Sequence, residues 1–156
     1  MKPENILLES KNESTIKIID LGLSQIKNKN SILNAERGSI YYLAPEMILK
    51  AYDHKVDIWS AGVIFYILLS GKPPFNAMIK GPNGGYSLDS NAIKRKILKG
   101  EVNYSESVFQ QVGPEVVNII KSMLTYKPGE RPEAKEILQL PFFKKELDMN
   151  LKHKGR

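Results

Sequence analysis

Between Val56 and Ser70 the chain is apolar around almost the whole circumference of a helix. A helix of that kind has no natural solvent face, so other elements must pack on every side of it. Asp53 stands where an N-cap belongs, and Gly71, followed by Lys72-Pro73-Pro74, supplies the stop. The rest of the sequence is read around this central helix. Ile6-Leu7-Leu8 and Ile16-Lys17-Ile18-Ile19 are aliphatic runs separated by a polar turn, which predicts a short β-hairpin. Residues 23–40 are polar and aperiodic and read as a long functional loop. Asn76 to Asp89 holds Gly81-Pro82-Asn83-Gly84-Gly85 and reads as a flexible surface insertion.

Three further helices follow. Ala92 to Leu98 is amphipathic and closed by Gly100, and Pro114 opens a helix whose Val116, Val117, Ile119, Ile120, Met123 and Leu124 face inward. Glu133 to Leu140 is the last, with Pro141 beyond it. The expectation is one domain over 1–143, mainly α with a small β-hairpin, and a charged tail over 144–156. A length of 156 residues at 42% hydrophobic content suits one core.

Composition removes several function classes. There is no cysteine, which excludes disulfides, thiolate metal sites and thiol nucleophiles. The longest apolar run, Val63 to Leu69, is too short to span a bilayer, and no signal pattern opens the chain. A cytoplasmic protein is expected. The formal charge of +6 comes from dispersed lysines such as Lys94, Lys96, Lys99, Lys144 and Lys152, without the aromatic interleaving that stacks bases. It reads as a solvated surface, not a nucleic-acid site.

Four strings carry chemistry. They are Lys2-Pro3-Glu4-Asn5, Asp20-Leu21-Gly22, the run from Gly38 to Ala44-Pro45-Glu46, and Asp57-Ile58-Trp59-Ser60-Ala61-Gly62. Asn5 and Asp20 offer hard oxygen donors, and the predicted hairpin between them can bring its two ends side by side. In this order the strings resemble the C-terminal lobe of a eukaryotic Ser/Thr protein kinase, starting just inside the catalytic loop. Tyr66 to Gly71, Pro73-Pro74-Phe75 and Met123 to Pro128 resemble the calmodulin/calcium-dependent protein kinase group, above all its protist calcium-dependent members.

The resemblance implies a C-lobe fold without its N-lobe, ATP and Mg²⁺ as cofactors, and protein substrates. It implies that Asn5 and Asp20 bind metal and, with Glu4, the nucleotide. Lys2 would steady the transferred phosphoryl group, and Ser39 would stand with it in the catalytic site. Gly38, Ser39, Ile40 and Leu43 would dock substrate. Glu46 and Arg131 would form a structural ion pair, and Asp57 would bind the catalytic-loop backbone from inside the buried helix. Leu21 replaces a usual phenylalanine, keeping an apolar side chain to pack under the site, with Gly22 giving backbone freedom. Trp59 is expected in the core.

Ala35 and Glu36 stand where related kinases carry an activating phosphothreonine, with Ser31 a weaker acceptor, and Ile67 lacks the acid that holds a substrate arginine. Leu140 stands where a histidine is common. No Asp-x-Asp-x-Asp-Gly loop is present, so calcium or calmodulin control would lie outside this sequence.

The Gly-rich loop, the strand lysine with its helix glutamate, and the catalytic aspartate are missing from the sequence. Met1 is therefore expected to be an internal methionine of a longer kinase, the central helix to expose an apolar face, and the fragment to be inactive. The alternative is a truncated, non-catalytic interaction module.

Overall fold

The computed structural model describes residues 1–9, 15–25, 33, 38–80 and 83–145. Strands β1 (Ile6–Leu8) and β2 (Ile16–Ile18) pair antiparallel, with Ile6 opposite Ile18, as the aliphatic runs predict. Most of the polar loop expected over 23–40 lies outside the described residues. Leu33 and Tyr52 form an isolated antiparallel bridge, exchanging hydrogen bonds of 3.0 and 3.1 Å.

After the short helix α1 (Pro45–Ile48) comes the central helix α2 (Lys55–Ser70). It starts one residue earlier than the sequence suggests, with His54 at the cap. Asp53 still caps it, since its Oδ1 accepts the Lys55 N–H at 2.9 Å. Gly71 takes a left-handed backbone at φ 73° and ends the helix, a conformation that glycine adopts without a Cβ penalty. Trp59 is fully buried, stacked on Phe75 with centroids 5.7 Å apart.

Helix α2 lies along α5 (Gly113–Met123). Gly62 permits this approach: a Cβ there would sit 2.8 Å from Met123 Cβ. Leu43, Tyr52, Val63, Tyr66, Ile93, Ile97 and Ile120 complete the main core, and Ile58, Ile119, Met123 and Ile137 form a second cluster. Tyr66 also donates its hydroxyl to the Asn103 carbonyl at 2.7 Å. The apolar face expected to be exposed on α2 is largely covered, and Leu68 is its one strongly exposed large apolar residue, at 75%. Exposed apolar side chains lie instead on the β1–β2 hairpin and beyond, at Leu7, Leu8, Ile16, Ile18, Leu21 and Leu23, and on a second hairpin at Met78, Ile79 and Tyr86. Among the described residues no other element packs extensively on the two three-residue strands, whereas α2 is enclosed by α4, α5 and the turn at Ile40–Tyr42.

The expected surface insertion is a second antiparallel hairpin, β3 (Met78–Lys80) and β4 (Tyr86–Leu88). It leads directly into α3 (Ser90–Lys99), capped by Asp89 and closed by Gly100. Helix α4 (Ser107–Gln111) was not foreseen, and α6 (Ala134–Leu138) is shorter than the span read from Glu133 to Leu140. Glu133 caps α6 in a reciprocal box with Glu136. Pro141 starts a further helical stretch over 141–145, which places Phe142 and Phe143 on the second cluster. Proline suits the first turn of a helix, where its missing N–H has no partner to lose. The rest of the expected tail lies outside the described residues.

Candidate active site

Hairpin closure brings the two candidate metal ligands together. The Ile19 N–H donates to the Asn5 carbonyl at 2.9 Å, so the residue before Asp20 is clasped to Asn5. Both line a cavity of about 680 Å³, along with Lys2, Gly38, Ser39 and Leu43. Three separate segments of the sequence thus line one cavity. The backbone of Asp20 is left-handed at φ 60°, uncommon for a residue with a side chain and tolerated best by Asp and Asn. Its Oδ1 accepts the Gly22 N–H at 3.3 Å, and a Cβ on Gly22 would lie 3.2 Å from that oxygen.

Conformational freedom is therefore needed at Asp20, while Gly22 provides room. Leu21 does not pack under the site: it is 68% exposed and lies along the cavity. The docking segment is fixed from behind, because Ser60 donates its hydroxyl to the Tyr42 carbonyl at 2.9 Å. Ser39 sits at the head of the Ile40–Tyr42 turn, whose Tyr42 N–H donates to the Ser39 carbonyl at 3.0 Å. Leu43 is buried in the main core and also lines the cavity, whereas Ile40 packs on that core without lining the cavity. Burial, with the Glu4 charge second, raises the Tyr42 phenol above its ordinary value. Glu4 itself is exposed and off the cavity wall.

Asp57 also departs from expectation. Its side chain is 67% exposed, on the cavity side of α2, with Oδ1 4.0 Å from the Met1 amine. It does face the Lys2–Asn5 segment, but from an open position, since it sits in the first turn of α2 and not in its enclosed middle. Ala35, Glu36 and Ser31 lie outside the described residues.

The expected ion pair is present. Arg131 Nη1 and Nη2 lie 2.5 and 2.8 Å from the two Glu46 carboxylate oxygens. Arg131 also donates to the carbonyls of Thr125, Tyr126 and Lys55, and its guanidinium lies over the Trp59 ring.

The sequence reading missed an extension of this network. Lys55 Nζ donates to the Arg131 carbonyl and sits 2.9 Å from Glu133 Oε1, while His54 Nε2 is 3.1 Å from Glu133 Oε2. Hydrogen bonds from Lys55 and then His54 hold the Glu133 carboxyl below its usual range. Because 79 positions separate His54 from Glu133, no local pattern could have paired them.

Among the described residues no three His, Cys, Asp or Glu side chains gather as a metal cage. A second cleft of about 520 Å³, lined by Tyr104 and Lys121, contains none of the candidate residues. Burial raises the Tyr104 phenol well above its ordinary value, so it stays neutral there.

Comparison with known proteins agrees with the motif order. The family model described as "Protein kinase domain" matches residues 1–143. The chain is 39% identical over 147 residues to Calcium-dependent protein kinase 3 of Plasmodium yoelii yoelii, covering 93% of this chain and 26% of that protein. It is 40% identical over 146 residues to Calcium-dependent protein kinase 4 of Plasmodium falciparum (isolate 3D7), covering 92% and 26%. With Calcium-dependent protein kinase 21 of Arabidopsis thaliana the identity is 36% over 145 residues, covering 92% and 25%. The chain thus spans about a quarter of the length of these relatives. With its motifs in order, its hairpin closing Asn5 onto Asp20 and its family match over nearly all its residues, this chain belongs to the protein kinase domain family.

Proposed function

We propose that this chain is the phosphate-facing and substrate-docking part of a serine/threonine protein kinase, inactive by itself. The observation that carries the reading is the convergence of Lys2, Asn5, Asp20 and Ser39 on one cavity. The domain would be 1–143 with 144–156 as its tail, in a cytoplasmic setting. ATP with Mg²⁺, when bound, supplies the phosphoryl group and the charge that offsets it.

The donor set suits that cation. Asn5 and Asp20 offer an amide and a carboxylate oxygen, and Mg²⁺ commonly takes only one or two protein ligands beside water and phosphate oxygens. Lys2 would balance phosphate charge, and the Gly38–Ser39–Leu43 wall would orient the acceptor hydroxyl. Preference for Ser/Thr hydroxyls rests on Lys2 and Ser39.

The inactivity rests on the sequence lacking the family's catalytic-loop aspartate. Among the described residues the carboxylates on the cavity are Asp20, assigned to metal, Asp53, which caps Lys55, and the open Asp57. The nucleotide would need further contacts from an N-lobe, and calcium control, which the names of the relatives suggest, would act from outside these residues.

The test uses the purified chain. With Mg-ATP and a serine peptide it should transfer no phosphate. Mn²⁺ with a nucleotide should broaden NMR signals of the cavity residues, and Asp20→Ala should abolish the broadening. Robust phosphate transfer refutes the inactivity, and broadening unchanged by Asp20→Ala refutes the metal site.

The exposed apolar β1–β2 face favours a second reading, a non-catalytic interaction module that covers this face by association. Sedimentation as a stable monomer at high concentration would eliminate it.

A further inference from the structure

The β3–β4 hairpin has no part in the site described above, yet its surface is unusual for one facing only water. Met78, Ile79 and Tyr86 are each more than half exposed, and Leu88 is 38% exposed. The register places Met78 opposite Leu88 and Lys80 opposite Tyr86, so one face carries two aliphatic side chains, an aromatic ring and a lysine. The hairpin is held rigidly at its base. The Asp89 N–H donates to the Ala77 carbonyl at 3.0 Å, and Lys96 Nζ of α3 donates to the Asn76 carbonyl at 2.6 Å.

Lys96 therefore marks the side of α3 that borders the hairpin. At 3.6 residues per turn, Lys96, Lys99 and Arg95 fall within an arc of about 100° that leaves out the buried Ile93 and Ile97. All three are exposed, and so is Lys80. An apolar finger thus stands beside a basic helix edge to which it is tied.

We propose that this surface docks on an anionic lipid bilayer. Met78, Tyr86 and Leu88 enter the headgroup region, and Lys80, Arg95, Lys96 and Lys99 face acidic headgroups. Both features are accounted for together: apolar side chains favour the acyl boundary, tyrosine settles at the interface, and cations are drawn to the negative leaflet. An acidic protein would account for the charges but would leave the three apolar groups of this face without a role. The basic arc, which the sequence alone presents as a solvated face, acquires a direction from the hairpin beside it.

The experiment is co-sedimentation of the full chain with phosphatidylcholine vesicles, with and without phosphatidylserine. Binding should require phosphatidylserine and weaken with salt. Arg95→Gln/Lys99→Gln should lower the partition coefficient about 25-fold, at about five-fold per charge. Met78→Ser/Tyr86→Ser should lower it about tenfold or more. The substituted positions lie on the surface, and Trp59 fluorescence checks that each variant is folded.

No binding by the native chain overturns the proposal, as does equal binding to neutral vesicles. Binding that survives both double substitutions belongs to the exposed β1–β2 face and also overturns it. Tight capture of soluble poly-glutamate, indifferent to Met78→Ser/Tyr86→Ser, would identify an acidic protein as the partner instead.

Discussion

Glu46→Gln isolates the charge of the buried pair while keeping its shape. In the native chain Arg131 is 2% exposed and its cation is matched by both Glu46 oxygens, with three carbonyls taking its other N–H groups. The amide keeps one acceptor and turns its NH₂ toward a guanidinium that can only donate, leaving a buried cation without a counter-ion. Breaking a buried pair in this way typically costs about 3–5 kcal/mol. The three carbonyls and the Trp59 ring, whose centroid lies 4.9 Å from the guanidinium carbon, still solvate the charge. The lower end, about 3 kcal/mol, is therefore expected.

The assay is urea unfolding followed by fluorescence of Trp59, the single tryptophan of the chain. With a slope near 2 kcal/mol per molar, the midpoint should fall by about 1.5 M. Arg131→Met should cost a similar amount, and the double variant should cost far less than the sum, since removing both charges removes the uncompensated one. Additive losses, or a Glu46→Gln loss below about 1 kcal/mol, would show that this pair does not work as a buried charge couple.

Two further outcomes follow from the structure. The Glu133 carboxyl is held below its ordinary value, so its contribution is present above the usual carboxylate range and is lost as pH falls through the lowered value. Melting temperature against pH for the native chain and Glu133→Gln should therefore differ at neutral pH and converge in acid, and curves that stay parallel would refute the link. Gly62→Ala should destabilise by about 1–3 kcal/mol, although alanine is the better helix former, because its Cβ meets Met123 and Leu124. Unchanged stability in chemical unfolding would mean that α2 and α5 can separate without loss.

Legibility in the sequence followed the range of the interaction. Helix α2 could be read because its apolar composition, Asp53 and Gly71 are all local signals. The β3–β4 hairpin was hidden because its strands are three residues each and the glycines and proline between them dominate the window. Yet apolar runs flanking such a loop are themselves a hairpin signature. Asn5 and Asp20 could be placed together because a hairpin joins its own ends.

The Glu46–Arg131 pair came from family likeness alone, since nothing in either neighbourhood signals a partner 85 positions away. Lys55, His54 and Glu133 had no likeness to reveal them and were missed. Leu21 and Asp57 were misread in opposite senses. An apolar residue was assumed covered and a charged one enclosed, whereas both stand at the edge of the cavity.

The lone backbone pairing of Leu33 with Tyr52 closes the stretch between them into a ring. The wall bearing Gly38, Ser39 and Leu43 is consequently pinned at two points, one of them at the threshold of α2. Leu43 and Ala44 are seated in the core and Ser60 holds the Tyr42 carbonyl, so the wall cannot peel away like a loose arm. A single cut within that ring would leave both halves still attached to the body of the protein.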